Sequence, residues 1–393
     1  MTVAPGRVGN WIVSGLRDWR VWALTAFLQI PAIRPMAKYL PDVLVPAIPL
    51  YLIGTLVAYA AMLHAPGVRL TYHNFGRRWW HLAAIVLAAA IVSGAAYPRI
   101  DALKKYGRGS DEDDQLIQTS QRLIAGDRPL YVPTYLGNAP TAGPGWALAV
   151  SPLVLSGTYF LLTPLALAAL PLIIAGTSDR AAIALGILLP VTSPAFWELL
   201  VTGSDIFPIG VVFAAMTAAV IHWPTRGLSH RLACLALALI AVSTRFVLVY
   251  SVVLLGCFLW KRNKWGGALV AGVSVAFVIL QCLAWLPHPE WTPLHLLTRR
   301  TRALGPTWFL LAAACSVLVS VAAIHRADER AVTWIEGMWA GFATPLVAVS
   351  AVDLVNAGFS FSAWRGATYF AASMPLLVVA IAVRPHTLPD QRG

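Results

Sequence analysis

The sequence predicts an all-α polytopic membrane protein of about 11–12 transmembrane helices. Three observations predict it. Of the 393 residues, 58% are hydrophobic and 12% charged, against about 25% charged in an average soluble domain. No water-soluble fold of this length hides that much apolar surface. The apolar residues also come in long runs rich in Leu, Ala and Val. A bilayer-spanning helix needs roughly 20 such residues, and in hydrocarbon every backbone N–H and C=O must be bonded within its own segment or a closed barrel. Finally, the formal charge of +12 is spread as short Lys/Arg clusters between the runs. That is the arrangement of topology signals, so membrane lipids are expected as partners and nucleic acid is not.

Taken in order, the candidate spans are 20–35, 43–63, 79–97, 157–176, 181–200, 203–222, 230–244, 246–260, 266–286, 306–325, 332–352 and 363–383, so that residues 1–393 read as a single transmembrane domain. The first is short, with only Val21 to Ile33 free of charge before Arg34, and it reads equally as an interfacial or re-entrant helix. Polar and helix-breaking residues precede Val21, so no cleavable signal peptide is expected. Cys234, Cys257, Cys282 and Cys315 all lie in apolar runs without CxxC spacing and read as small core residues. Trp79, Trp80, Trp291, Trp308, Trp334 and Trp339 fall near span ends, where an aromatic belt is expected.

Orientation follows from the basic loops. If the spans alternate, Arg7, Arg17 and Arg20, then Arg69, Arg77 and Arg78, then Arg226 and Arg231, then Lys261, Arg262 and Lys264, then Arg326 and Arg330 share one side. That side is the cytoplasm, and the loops at 98–145, 201–204, 287–304 and 353–362 lie outside a plasma membrane. Residues 230–260 test this layout, being too long for one ordinary span yet flanked by basic clusters at both ends. Two short helices meeting near Arg245 satisfy both facts. At ~1.5 Å per residue each arm reaches only about 20 Å, so the turn is recessed below the outer surface and carries an arginine at its bottom.

The outer loop 98–145 holds six of the seventeen acidic residues, four of them consecutive: Asp111, Glu112, Asp113 and Asp114. Such a run is most often a solvated face. Here it precedes an amphipathic helix from Gln115 to Ala125, with Leu116, Leu123 and Ile124 apolar and Gln118, Gln121 and Arg122 polar, ended by Gly126. The positive helix N-terminus favours the acids, and carboxylates held there are positioned groups able to act as bases.

These residues carry a resemblance. Asp113-Asp114, the helix end Leu123 to Gly126, then Tyr131, then Gly143-Pro144-Gly145-Trp146 opening a long apolar run together resemble the GT-C superfamily of integral membrane glycosyltransferases, which use polyprenyl-phosphate-linked sugars. The similarity is strongest over 97–160 and looser over 195–260. In that superfamily the acidic loop usually follows the first span, whereas here it follows the third predicted one, and four successive acids leave the catalytic one open among Asp111, Asp113 and Asp114. The resemblance implies a GT-C-like fold with a catalytic outer loop at 98–145 and inverting sugar transfer from a polyprenyl-phosphate donor to a lipid or glycan hydroxyl. An Asp takes the acceptor proton. The leaving phosphate needs cations or a metal to absorb charge. The sequence requires no metal and leaves a divalent cation as one option.

Arg245 is the first candidate for the donor phosphate, because a guanidinium keeps its charge and matches phosphate with two N–H bonds; a snorkelling arginine is its plainer reading. Arg299, Arg300, Arg302 and His295, in the outer loop after Trp291, are the others. His288, Glu290 and His295 lie among Pro287, Pro289 and Pro293, so no fixed spacing joins them and no metal site is expected there. Glu198 and Asp205 flank the turn between the fifth and sixth spans; carboxylates this close to hydrocarbon line a cavity or have a partner, and both are candidate substrate contacts. Tyr131 and Trp146 are further substrate candidates, and Trp146 or Trp364 could stack on a sugar. Glu336 reads as structural. A polytopic transporter or flippase of lipid-linked sugars is the rival reading, but it predicts matched halves and ionisable residues at mid-membrane. Here the halves are unlike and the charges gather on one side.

Overall fold

A computed structural model describes residues 5–104, 110–127, 130–138, 140–175, 180–285, 305–328 and 330–384. All regular structure among them is helical. In chain order the helices are α1 (Pro5–Arg17), α2 (Trp19–Leu24), α3 (Ile33–Tyr39), α4 (Pro41–His64), α5 (Pro66–Gly76), α6 (Trp79–Ala102), α7 (Glu112–Ala125), α8 (Pro144–Leu155), α9 (Leu162–Ala175), α10 (Arg180–Val191), α11 (Pro194–Thr202), α12 (Ile206–Ile221), α13 (Leu228–Thr244), α14 (Val249–Trp260), α15 (Lys264–Trp285), α16 (Pro306–Arg326), α17 (Ala331–Asn356) and α18 (Ala367–Val383).

Five of these helices, α4, α6, α15, α16 and α17, are long and apolar enough to cross a membrane, and two bent pairs raise the number to seven. Four shorter apolar helical stretches add to them: α12, α13, α18, and α14 with the turn before it. The chain is a multi-pass membrane protein. α12 and α18 are buried nearly end to end and pack on each other. α16 has no buried residue at all, and Leu310, Leu311, Val317 and Leu318 point outward from it. An apolar surface of that kind is at home against lipid tails.

The structure departs from the sequence-based expectations at the breaks. The span expected at 20–35 is not one helix: α2 runs into a π-helical turn at Thr25–Gln29, and α3 follows. The turn is held by Gln29, which bonds to the hydroxyls of Tyr51 and Tyr59, while Tyr59 meets Thr192 at 2.8 Å. Val21, Leu24 and Leu28 are fully buried while Trp22 is exposed, so one face of this segment packs into the protein. The span expected at 157–176 is found as the stretch Tyr159–Ala175 with a bent entry from α8, and the span expected at 181–200 is itself bent. α8 and the helical stretch from Tyr159 through α9 meet at 117°, across Gly157 at φ 69°. α10 and α11 meet at 73°, where Ser193 is extended before Pro194; proline disfavours a helical residue before it and suits the first turn after it. The cysteines split: Cys234 is buried, whereas Cys257 and Cys315 are exposed and so are not core residues. Trp334 is likewise buried and donates to the Asp328 carbonyl, so it belongs to the core and not to the belt, while Trp79, Trp80 and Trp308 are exposed as a belt requires. Glu336 pairs with Arg384 at 3.3 Å, the structural role expected of it.

Several polar contacts between distant segments join loops that share one side in the sequence-based layout. Asp18 with His64, Lys261 with the Ala327 carbonyl, and Glu336 with Arg384 join loops that the basic clusters assign to one side. Arg34 with Glu198, and the site described next, join segments assigned to the other.

Candidate functional site

α7 begins where its sequence says it should. Asp111 occupies the N-cap, Glu112, Asp113 and Asp114 fill the first turn, and Gly126 ends the helix in the left-handed region at φ 73°. Its apolar side packs on α8. Leu116 is fully buried there, and Ser120 donates to the Ala147 carbonyl.

The four acids meet four different environments. Asp111 is a brace: it accepts from Thr134 Oγ1 at 2.8 Å and Asn138 Nδ2 at 2.7 Å, folding the 130–138 segment over the helix start. Asp114 binds Lys104 at 2.7 Å, and Lys104 also reaches Asp101 at 2.9 Å. Asp113 is 1% exposed and accepts from the Tyr97 hydroxyl at 2.8 Å, and its Oδ1 is buried with no hydrogen-bond partner among the described residues. Burial, with the charges of Asp114 and Asp101, pushes its carboxyl up to about 7 against the opposing Tyr97 bond. One oxygen each from Asp101, Asp113 and Asp114 lie within 4.8 Å of one another, a spacing compatible with a divalent cation, and the Lys104 ammonium is the cation the structure holds against two of them.

Glu112 takes the fourth environment. Its carboxylate accepts from Ser204 Oγ, in the turn between α11 and α12. Burial and the neighbouring Asp205 charge raise it to about 6, and the Ser204 bond and Arg245 pull the other way. That turn is tightly built. Gly203 has φ 70°, and a Cβ there would lie 2.5 Å from the Tyr97 ring, so only glycine fits beneath α7. Tyr159 donates to the Gly203 carbonyl at 3.0 Å from a buried position.

Asp205, fully buried, follows Ser204. The turn around Arg245 forms as the sequence predicts: α13 stops at Thr244, Arg245 is extended at φ −152°, and one 3-10 turn leads into α14. Arg245 forks onto Asp205, with Nη2 2.8 Å from Oδ1 and Nη1 3.1 Å from Oδ2, and Nη1 also donates to its own Thr244 carbonyl at 2.7 Å. Its side chain is 11% exposed. Trp146 Nε1 donates to Asp205 Oδ2 at 2.9 Å, so Trp146 orients the pair from behind.

Of the residues the sequence singles out, the structure thus brings together Asp113, Asp205, Arg245 and Trp146 around the head of α7. Tyr131 is buried beside them and donates to the Ala142 carbonyl at 3.1 Å, pinning the loop. Glu198 stands apart, 8% exposed and paired with Arg34 at 3.1 Å, which supplies the partner that a carboxylate near hydrocarbon requires. Trp364 is buried and donates to the Ser350 carbonyl. His295, Arg299, Arg300 and Arg302, with His288, Glu290 and Trp291, lie outside the described residues. Sequence reasoning passed over Glu112, Ser204, Tyr97 and Tyr159. For Glu112 a signal existed: it lies four residues before Leu116 and eleven before Leu123, on the helix face that packs inward. For the others none did, since Tyr97 and Tyr159 read as ordinary span-end aromatics. No family model, no curated protein and no solved structure matches the chain.

Proposed function

We propose that the protein is a glycosyltransferase of GT-C type. It moves a sugar from a polyprenyl-phosphate donor to the hydroxyl of a lipid or glycan acceptor at the outer face of the plasma membrane. The observation that carries this reading is the packing of the acidic head of α7 onto the Asp205–Arg245 pair, through Glu112 and Ser204. A carboxylate and a guanidinium share one site, and inverting transfer from a lipid phosphate calls for both: a base for the acceptor hydroxyl and a fixed cation for the leaving phosphate. The donor's tail lies in the bilayer, so its headgroup reaches a site of this kind from the side. Asp205 holds the Arg245 fork in one plane and leaves other guanidinium N–H groups, on a partly exposed side chain, for an arriving phosphate.

The test is transfer and donor affinity in nanodiscs, using synthetic polyprenyl-phosphate hexoses and pentoses. Arg245→Ala is expected to lose both by about 10²-fold, the scale of a charge-assisted contact to a poorly hydrated anion. Arg245→Lys keeps the charge but not the fork, and is expected to bind donor partially with impaired turnover. If folded Arg245→Ala binds and transfers like the parent, Arg245 is a structural partner of Asp205 alone, and the phosphate contact falls to Arg299, Arg300 and Arg302.

A further inference from the structure

The geometry points to Glu112, and not to any of the three flanking aspartates, as the general base of the transfer reaction, an assignment that rests on the glycosyltransferase reading above. Three of the four acids are committed elsewhere. Asp111 is spent on Thr134 and Asn138, and Asp114 on the Lys104 ammonium. Asp113 is sealed beneath Tyr97 and Gly203 with 1% of its surface exposed, out of reach of an acceptor. Glu112 is half-buried, as Asp111 and Asp114 are, but of the four acids it is the one that faces the Asp205–Arg245 pair. Ser204 is its carboxylate's one hydrogen-bond partner among the described residues. A neutral hydroxyl leaves the carboxylate its charge and most of its lone pairs. Ser204 also shows that a hydroxyl donor fits there, which is the geometry an acceptor hydroxyl must adopt.

In the step, the acceptor O–H gives its proton to the Glu112 carboxylate as the oxygen's electron pair forms the bond to the anomeric carbon. The bond from that carbon to the phosphate oxygen breaks, and its pair leaves with the polyprenyl phosphate beside Arg245. Glu112 then returns the proton to water. The charged and titratable groups facing Glu112 are Asp205 from the α11–α12 turn, Arg245 from the α13–α14 turn, Tyr159 from the turn before α9, and Asp111 beside it. The carboxylate must be ionised to accept a proton, so the parent's rate is expected to climb as pH rises through about 6 and to level above it.

The experiment is single-turnover transfer in nanodiscs across pH 5 to 8 by the parent, Glu112→Gln, Glu112→Asp, Asp113→Asn and Asp114→Asn, with donor affinity and melting temperature measured on each. Glu112→Gln is expected to lose about 10²-fold or more in rate and to lose the pH dependence, with donor affinity unchanged. Glu112→Asp, one methylene shorter, is expected to keep the rising profile at a rate about 10-fold lower, and it stands in if the Gln variant does not fold. Asp113→Asn and Asp114→Asn stay within about 10-fold of the parent. A parent-like rate in Glu112→Gln, or the large loss appearing in Asp113→Asn or Asp114→Asn instead, overturns the assignment and leaves the glycosyltransferase reading standing. Absence of transfer by the parent from every donor overturns that reading and the assignment with it.

Discussion

Asp113 holds its carboxylate where water is almost absent, and that makes the fold's stability depend on pH. In the folded protein its carboxyl is raised to about 7 from the ordinary 3.8. Between those values the folded state binds the proton and the unfolded state does not, so stability falls as pH rises through this window and stays low above it. Asp113→Asn removes the ionisation while keeping an acceptor for Tyr97. The parent's melting temperature is expected to fall more between pH 5 and 8 than that of Asp113→Asn, and equal slopes would show that the Asp113 carboxyl is not raised in the folded state. At this scale the sequence was half legible. It marked the acid run, Asp205 and Arg245 as unusual, and the structure assembles them. It could not sort the four acids. Their fates depend on Thr134, Tyr97, Lys104 and Ser204, and Ser204 lies 92 positions from Glu112.

At the scale of elements, the Asp205–Arg245 site depends on two glycines that let α8 start against the end of α13. The Gly143 N–H donates to the Ser243 carbonyl at 2.6 Å, and a Cβ on Gly145 would lie 2.4 Å from Ser243 Oγ. Trp146 follows Gly145 and Arg245 lies two residues after Ser243, so pushing these helices apart also strains the contacts that Trp146 and Arg245 both make to Asp205. Gly145→Ala is expected to destabilise by about 1–3 kcal/mol, the usual cost of overpacking. Adding Ser243→Ala, which removes the closest atom, should recover part of that loss in a thermal melt. No recovery in the double variant would mean that the contact is not the cause. The amphipathic α7, its Gly126 stop and the two short arms at Arg245 were all readable, because each is written in local periodicity and turn chemistry. The bends at 155–159 and 191–194 were not, since an apolar run has the same composition whether or not its backbone changes direction. Gly157 and Ser193-Pro194 mark the places only once the breaks are known.

At the scale of the whole molecule, the multi-pass character follows from composition alone, because lipid leaves the backbone few choices. The count of spans does not, since bent and short helices share the apolar code of straight ones. The account turns on the two ends being chemically unlike: basic loops gather at one, and the acidic head of α7 with the Asp205–Arg245 pair lies at the other. Under the proposed function, the positive-inside rule sets this site outside. Labelling tests this directly, using single cysteines at Gln121, exposed on α7, and Asn74, exposed on α5, in a protein whose four native cysteines are replaced by serine. In intact cells a membrane-impermeant thiol reagent is expected to modify the cysteine at 121 and to leave the one at 74 untouched until the membrane is opened. Modification at 74 with protection at 121 would put the acidic site in the cytoplasm and contradict the account.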